Sequence, residues 1–299
     1  MLVSTAAPTR RPLIAPTRAL ERRRLVDWLA TGLVTACAAG VVAVLLLILG
    51  QIVVQGLPAL NVAFFTQGPM PAGEAGGGVA PAILGSLEML IVAGLIGIPL
   101  GVAAAIYLAE YGQGQLARAL SFTIDVIAGF PSIVIGVFVW AWLVRNVVGT
   151  YNGLAGGVAL AIIMIPIVAR TVEETLRLVP DALREATLAL GIPRWKTIMR
   201  VVLPTASAGV LTGIVLAMAW AGGESAPILL AALGTQSFNF DLFQPMASLP
   251  VLIYQYARSP DADWHAKAWG AALVLITLVA LLSVLTRWIL GRRLRALSH

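Results

Sequence analysis

The chain has 299 residues, of which 59% are apolar and 11% charged, and it carries a formal charge of +6. So little polar surface excludes an ordinary soluble domain of this size and points to an integral membrane protein. The positive charge does not argue for nucleic acid, because the basic residues cluster at the ends of apolar stretches, where membrane orientation places them.

Residues 1–24 are rich in Pro, Thr, Ala and Arg, with Arg10, Arg11, Arg18, Arg22, Arg23 and Arg24 among them. They cannot build a core, so they read as a disordered basic tail ahead of a membrane domain over 25–299. The first apolar span runs from about Trp28 to Val54. Cys37, the single cysteine, ends V-T-A-C, which faintly resembles a lipoprotein cleavage box. The apolar run continues well past it, so the span reads as uncleaved and the thiol as buried. One cysteine and two distant histidines (His265, His299) offer no disulfide framework and no metal site.

Residues 55–80 hold no Lys or Arg and a turn-rich glycine run, an outside loop. A second span, about Pro81 to Tyr111, carries Pro99 in its middle, where a kink is expected. The third, about Ala119 to Val144, is broken at G-F-P-S-I-V-I-G (129–136). The fourth, about Leu154 to Ala169, holds Pro166 near its inner end. The fifth, about Thr205 to Leu233, is interrupted by W-A-G-G-E-S-A-P (220–227). Residues 234–266 read as a second outside segment, with Phe238, Phe240, Phe243, Tyr254 and Tyr256 suited to an interfacial loop or short helix. The sixth span, about Lys267 to Trp288, ends in a basic cluster. Of the 20 Lys and Arg residues, all but Arg145, Arg258 and Lys267 then fall on the side of the two termini, which assigns that side to the cytoplasm.

Between the fourth and fifth spans lies a polar island, about residues 170–204. It holds Arg170, Arg177, Arg184, Arg194, Lys196 and Arg200 with four acids. Leu183, Ala186, Leu190 and Ile198, Met199, Val202 recur at helical spacing, while Gly191 and Pro193 separate the two runs. The pattern predicts a helix–Gly–helix elbow with an apolar stripe and a basic face. Helicity and charge leave two readings open: a helix lying on the lipid surface, or a docking element for another protein.

Glu185-Ala186-Thr187, then Gly191, then Val201, Leu203 and Pro204 resemble the E-A-A…G…I-x-L-P pattern of ABC importer permeases, with Thr187 and Val201 as departures. In that family the segment is the coupling helix that docks on a separate ATPase, and the resemblance decides for docking. Further segments (64–87, 129–136, 166–180 and 222–229) resemble the PstA-type permeases of phosphate-specific ABC importers. The resemblance implies an all-α, six-span, MetI-like (type I) fold in the bacterial inner membrane. It further implies pairing with a PstC-type permease, a PstB-type ATPase dimer and a PstS-type phosphate-binding protein, with ATP and Mg held by the ATPase and no cofactor on this chain. It assigns Glu185, Ala186, Gly191, Pro193, Leu203 and Pro204 to ATPase coupling.

Inside lipid, broken backbone is tolerated where it is buried in protein or lines a cavity. The proline or Gly-Gly features of spans two to five therefore mark a working core, unless they only follow the general frequency of proline in membrane helices. Glu224 falls deep in the fifth span, where an ionisable group costs a few kcal/mol. It either fixes packing or serves transport. Arg170 sits where the fourth span is expected to end, and an ordinary positive-inside anchor explains it ahead of a path role. By the resemblance Arg170, Glu224, Ser225, Pro131 and Ser132 become candidates for the translocation path. Where the family leads one to expect arginine, this chain has Trp220, so Glu224 is expected to take a partner from elsewhere, such as the second permease. That departure leaves another oxyanion open as substrate. A stand-alone secondary transporter is the lesser alternative. An enzyme is least favoured, since no Ser-His, Cys-His or H-E-x-x-H arrangement is present and no phosphate-binding G-x-x-x-x-G-K-[ST] loop exists for ATP hydrolysis.

Overall fold

The computed structural model describes residues 18–74, 76–235 and 237–297, all of them helical or irregular with no strand. Residues 1–17, including Arg10 and Arg11, and His299 lie outside the described residues. The chain divides into two units, Met1–Gln51 and Ile52–His299. The first consists of helix α1 (Arg18–Gly56), whose last turn passes into the second. Arg22, Arg23 and Arg24 are thus helical rather than part of the expected tail. Cys37 is exposed on this apolar helix, not buried.

In the second unit, a short turn and helix α2 (Val62–Thr66) precede α3 (Ala80–Ile106), which runs on into a π-helical turn, Tyr107–Tyr111. Helix α4 (Gln115–Gly129) meets α5 (Ser132–Val139) at a 105° bend. The cause is Pro131, which forces Phe130 out of the helical region, to φ −75°, ψ 136°. Helix α5 continues as a π-helical segment, Trp140–Val148. Helix α6 (Gly153–Arg177) starts at Asn152, whose Oδ1 accepts from the Ala155 amide at 2.8 Å. An N-cap of this kind is worth about 1 kcal/mol.

After Pro180 comes α7 (Asp181–Ala189), then α8 (Arg194–Thr197), a π-helical turn Ile198–Val202 and α9 (Leu203–Thr205). Helix α10 (Ser207–Gly223) leaves this segment at 75° and stops at Gly222-Gly223. Helix α11 (Ala226–Ala231) restarts with Pro227 in its first turn. Helix α12 (Leu249–Ala257) and the long α13 (Ala262–Leu297) complete the fold.

Among the described residues, four helices, Arg22–Ala59, Ala80–Tyr111, Gly153–Arg177 and Ala262–Thr286, are long and apolar enough to cross a membrane. Each bent pair counted as one crossing brings the number to six. The centre is the α3–α6 pair: 67% of the apolar window of α6 is buried, against 17% for α13. The two helices approach closely because glycines face the partner backbone. A Cβ at Gly101 would stand 2.7 Å from Val168 Cβ, so any larger residue there pushes the pair apart. Met89, Leu90, Leu160, Met164, Val168, Val172 and Leu176 fill the seam.

Several expectations need correction. Pro99 and Pro166 lie inside α3 and α6 without ending them, so the proline-bearing spans divide into two continuous helices and two broken ones. Helix α6 runs two turns past the predicted end at Ala169, because Val172 and Leu176 extend its buried stripe. Helix α13 begins at Ala262, ahead of the expected Lys267. Tyr256 is not interfacial: it is buried and stacks on Trp264 with ring centroids 4.4 Å apart, while Phe238, Phe240, Phe243 and Tyr254 are exposed.

Candidate functional site

The residues singled out above gather in three places. The first is the elbow. Helix α7 ends in a Schellman motif: the Gly191 amide donates to Leu188 O at 2.9 Å and the Ile192 amide to Thr187 O at 3.1 Å. Gly191 adopts φ +74°, which a side chain would strain. Glu185, Ala186, Gly191 and Pro193 are exposed, and no residue of α7 is buried. Leu183, Leu188, Leu190 and Trp195 add exposed apolar surface, Leu190 at 79%. Leu203 is half-buried and Pro204 buried, and Ile198 and Val202 also pack into the core. The predicted stripe is therefore split: its first half faces outward, and of its second half Ile198 and Val202 seat the elbow on the bundle while Met199 is exposed.

The second place is an ionic cluster between α4 and α6. Arg170 Nη1 donates to Glu173 Oε2 at 2.8 Å, Nε to Asp125 Oδ1 at 2.9 Å, and Nη2 to Ser121 Oγ at 2.7 Å. Glu173 is buried and also accepts from Arg177 Nη2 at 2.8 Å. Arg170 thus spends its donors on tying the middle of α4 to α6. A nearby second network holds the elbow. Glu110, 5% exposed, accepts from Arg184 at both carboxylate oxygens: Nη2 lies 2.8 Å from Oε1, and Nε lies 3.1 Å from Oε1 and 3.3 Å from Oε2. Arg184 also donates to Leu176 O at 2.8 Å and Asp181 Oδ1 at 3.0 Å. The hydrogen bond to Glu110 raises the Arg184 guanidinium above its ordinary value, against the opposing effect of burial. Sequence reasoning passed over Glu110; the available signal was a lone acid between Tyr107 and Tyr111 at the end of an apolar helix.

The third place is a cavity of about 500 Å³ where the two breaks meet. Ile127, Ala128, Phe130, Ser132 and Ile135 line it from α4 and α5, Ile163, Pro166 and Ile167 from α6, and Leu216, Trp220 and Glu224 from α10. Glu224 caps α10 in extended backbone, half-buried, and its Oε1 accepts from Trp220 Nε1 at 3.0 Å. The partner expected from another subunit is supplied one helical turn away, by the residue that departs from the family. Ser132 shares the cavity; Pro131 makes the bend beside it, and Ser225 begins α11 next to Glu224. Arg170 does not line it. Among the described lining residues Glu224 is the one with a charged side chain. Glu88 keeps Oε2 buried with no hydrogen-bond partner among the described residues.

Residues 97–295 match the model of the binding-protein-dependent transport system inner membrane component family. The chain is 44% identical over 250 residues to the phosphate transport system permease protein PstA of Yersinia pestis, covering 83% of this chain and 84% of that protein. It is 43% identical over 275 residues to PstA of Xylella fastidiosa, covering 91% and 95%. Among solved structures it resembles an inward-facing MetNI methionine ABC transporter, with a TM-score of 0.53, 23% identity, and 73% of this chain and 95% of that chain covered. That likeness shows the fold, that of a MetI-like permease, while the family match gives an inner membrane component of a transport system that depends on a binding protein. The chain belongs to the binding-protein-dependent transport system inner membrane components and, within them, to the PstA-type permeases.

Proposed function

We propose that the chain forms half of the path by which phosphate enters the cell, in a complex driven by ATP hydrolysed elsewhere. A PstC-type permease would complete the pore, a PstB-type ATPase dimer would supply ATP and Mg, and a PstS-type protein would deliver phosphate. Both termini are then cytoplasmic, as is the elbow. The observation that carries this reading is the exposed half of the elbow: Glu185 and Ala186 beside Leu183, Leu188 and Leu190, held outward by the Gly191 turn. In the chamber, Glu224 would accept a hydrogen bond from a protonated phosphate oxygen and Ser132 would donate one. A different oxyanion remains a second reading, because Trp220 leaves the chamber wall without the cation that the family pattern suggests.

The test is reconstitution of the four-component complex into vesicles, with phosphate uptake and ATP hydrolysis measured together. Glu185→Lys and Gly191→Val are expected to uncouple the two or to prevent ATPase assembly. The strained φ at residue 191 alone costs about 1–2 kcal/mol. Normal pumping by both variants refutes the docking role. Uptake of sulfate in preference to phosphate, with coupling intact, selects the second reading.

A further inference from the structure

Both arms of the elbow hold the same residue. From α7, Arg184 grips both oxygens of the Glu110 carboxylate, Nη2 donating to Oε1 at 2.8 Å and Nε to Oε2 at 3.3 Å. From α8, Arg194 donates through Nη2 to the Glu110 carbonyl and lays its guanidinium over the Tyr111 ring, 4.8 Å from the centroid. The arms are also joined to each other, Thr197 Oγ1 donating to Thr187 Oγ1 at 3.0 Å. Glu110 lies 74 and 84 positions from its two partners, so nothing local accounts for the convergence. Its backbone sits in the π-helical turn that ends α3, and single π-turns inside helices recur at functional positions. The carboxylate side chain is 3% exposed, so its charge is compensated mainly by Arg184. Two-point guanidinium–carboxylate pairing fixes direction as well as distance, which a lysine cannot do.

We propose that Glu110 is a positioning residue for coupling: the anchor through which a displacement of α7 and α8 is passed to α3, and so to the chamber walls. The outward face of the elbow receives the push. Arg184 and Arg194, turned the other way, deliver it to one fixed point. Arg184 in addition holds Leu176 O, at the end of α6, so the two central helices share one guanidinium and move together. This inference rests on the importer reading above.

The experiment uses the reconstituted complex, with phosphate as substrate and its binding protein present, and reads phosphate taken up per ATP hydrolysed. Glu110→Gln keeps the shape and removes the charge; Glu110→Asp keeps the charge. Glu110→Gln is expected to lower uptake per ATP by about tenfold, the scale of one lost charge-assisted hydrogen bond, while the ATPase still co-purifies. Glu110→Asp is expected to retain most of the coupling. A purely structural role instead lowers uptake and hydrolysis in proportion, and that result overturns the proposal. Should Glu110→Gln fail to assemble, Arg194→Gln tests the second grip from an exposed position and must shift the same ratio; an unchanged ratio there also overturns it. Wild-type vesicles that hydrolyse ATP without phosphate uptake refute the importer reading and the anchor with it, a failure distinct from an unchanged ratio in the variants.

Discussion

At the scale of single residues, the chamber turns on Trp220 and Glu224. They are four apart on one helix, a spacing that brings side chains together. A hydrogen bond to a charged group is worth about 1.5–3 kcal/mol, enough to fix the carboxylate's direction at the cavity wall. Glu224→Gln is expected to impair phosphate uptake while the complex assembles normally; unchanged uptake reduces the residue to packing. Trp220→Phe keeps the ring and removes the donor, so it should weaken uptake less than Glu224→Gln does. The carboxylate was legible as a candidate from its depth in an apolar run. Its partner was not recognised, because a tryptophan in place of an expected arginine looks like a loss rather than a neutral donor. The commitment of Arg170 was equally hidden. Asp125 and Ser121 lie more than 40 positions away, and only the α4–α6 contact brings them within reach.

At the scale of elements, packing decided what punctuation alone could not. Pro131 and Gly222-Gly223 break their helices, whereas Pro99 and Pro166 are carried inside α3 and α6. The difference lies in company: the latter two sit in the most closely packed pair of the bundle, and small residues allow that closeness. Gly101→Val is therefore expected to lower the Tm of the purified protein. Overpacking costs about 1–3 kcal/mol, and a Tm equal to wild type would show that the seam can yield. Away from the central pair, Asp261 secures the glycine loop to the start of α13. Its Oδ2 accepts from the Gly73 amide at 2.7 Å, and Oδ1 accepts from Trp264 and Asp263 amides. The Trp264 amide bond, then that of Gly73, holds the carboxyl below the ordinary aspartate value. Such a group stabilises the folded state fully above its unfolded pKa, about 3.9, and the contribution is lost as pH falls through the lower folded value. The Gly73 amide should exchange hydrogen more slowly in wild type than in Asp261→Asn at neutral pH. That difference should vanish once the pH drops below the ordinary aspartate range; a difference that persists in acid excludes the carboxylate as the tether.

At the scale of the whole molecule, membrane class and span order were readable from charge-free runs and basic ends. The elbow was readable from Gly191 and its flanking periodicity. Where the apolar stripe splits between partner and core was not, because Leu190 and Val202 are alike in sequence and differ only in what lies against them. With Cys37→Ser as background, a single cysteine at Leu190 should react with impermeant thiol reagents only from the cytoplasmic face, and one at Phe240 only from the outer face. Labelling of both from one side would overturn the six-crossing order. The unbroken course of α6 bears on how such a protein can alternate between its two openings. From the Asn152 cap to Arg177 it is one rod of 25 residues, on the order of 37 Å long, carrying Pro166 without a break. Tilting its inner end swings its outer end the opposite way, like a see-saw, so widening at one mouth and narrowing at the other need no separate signals.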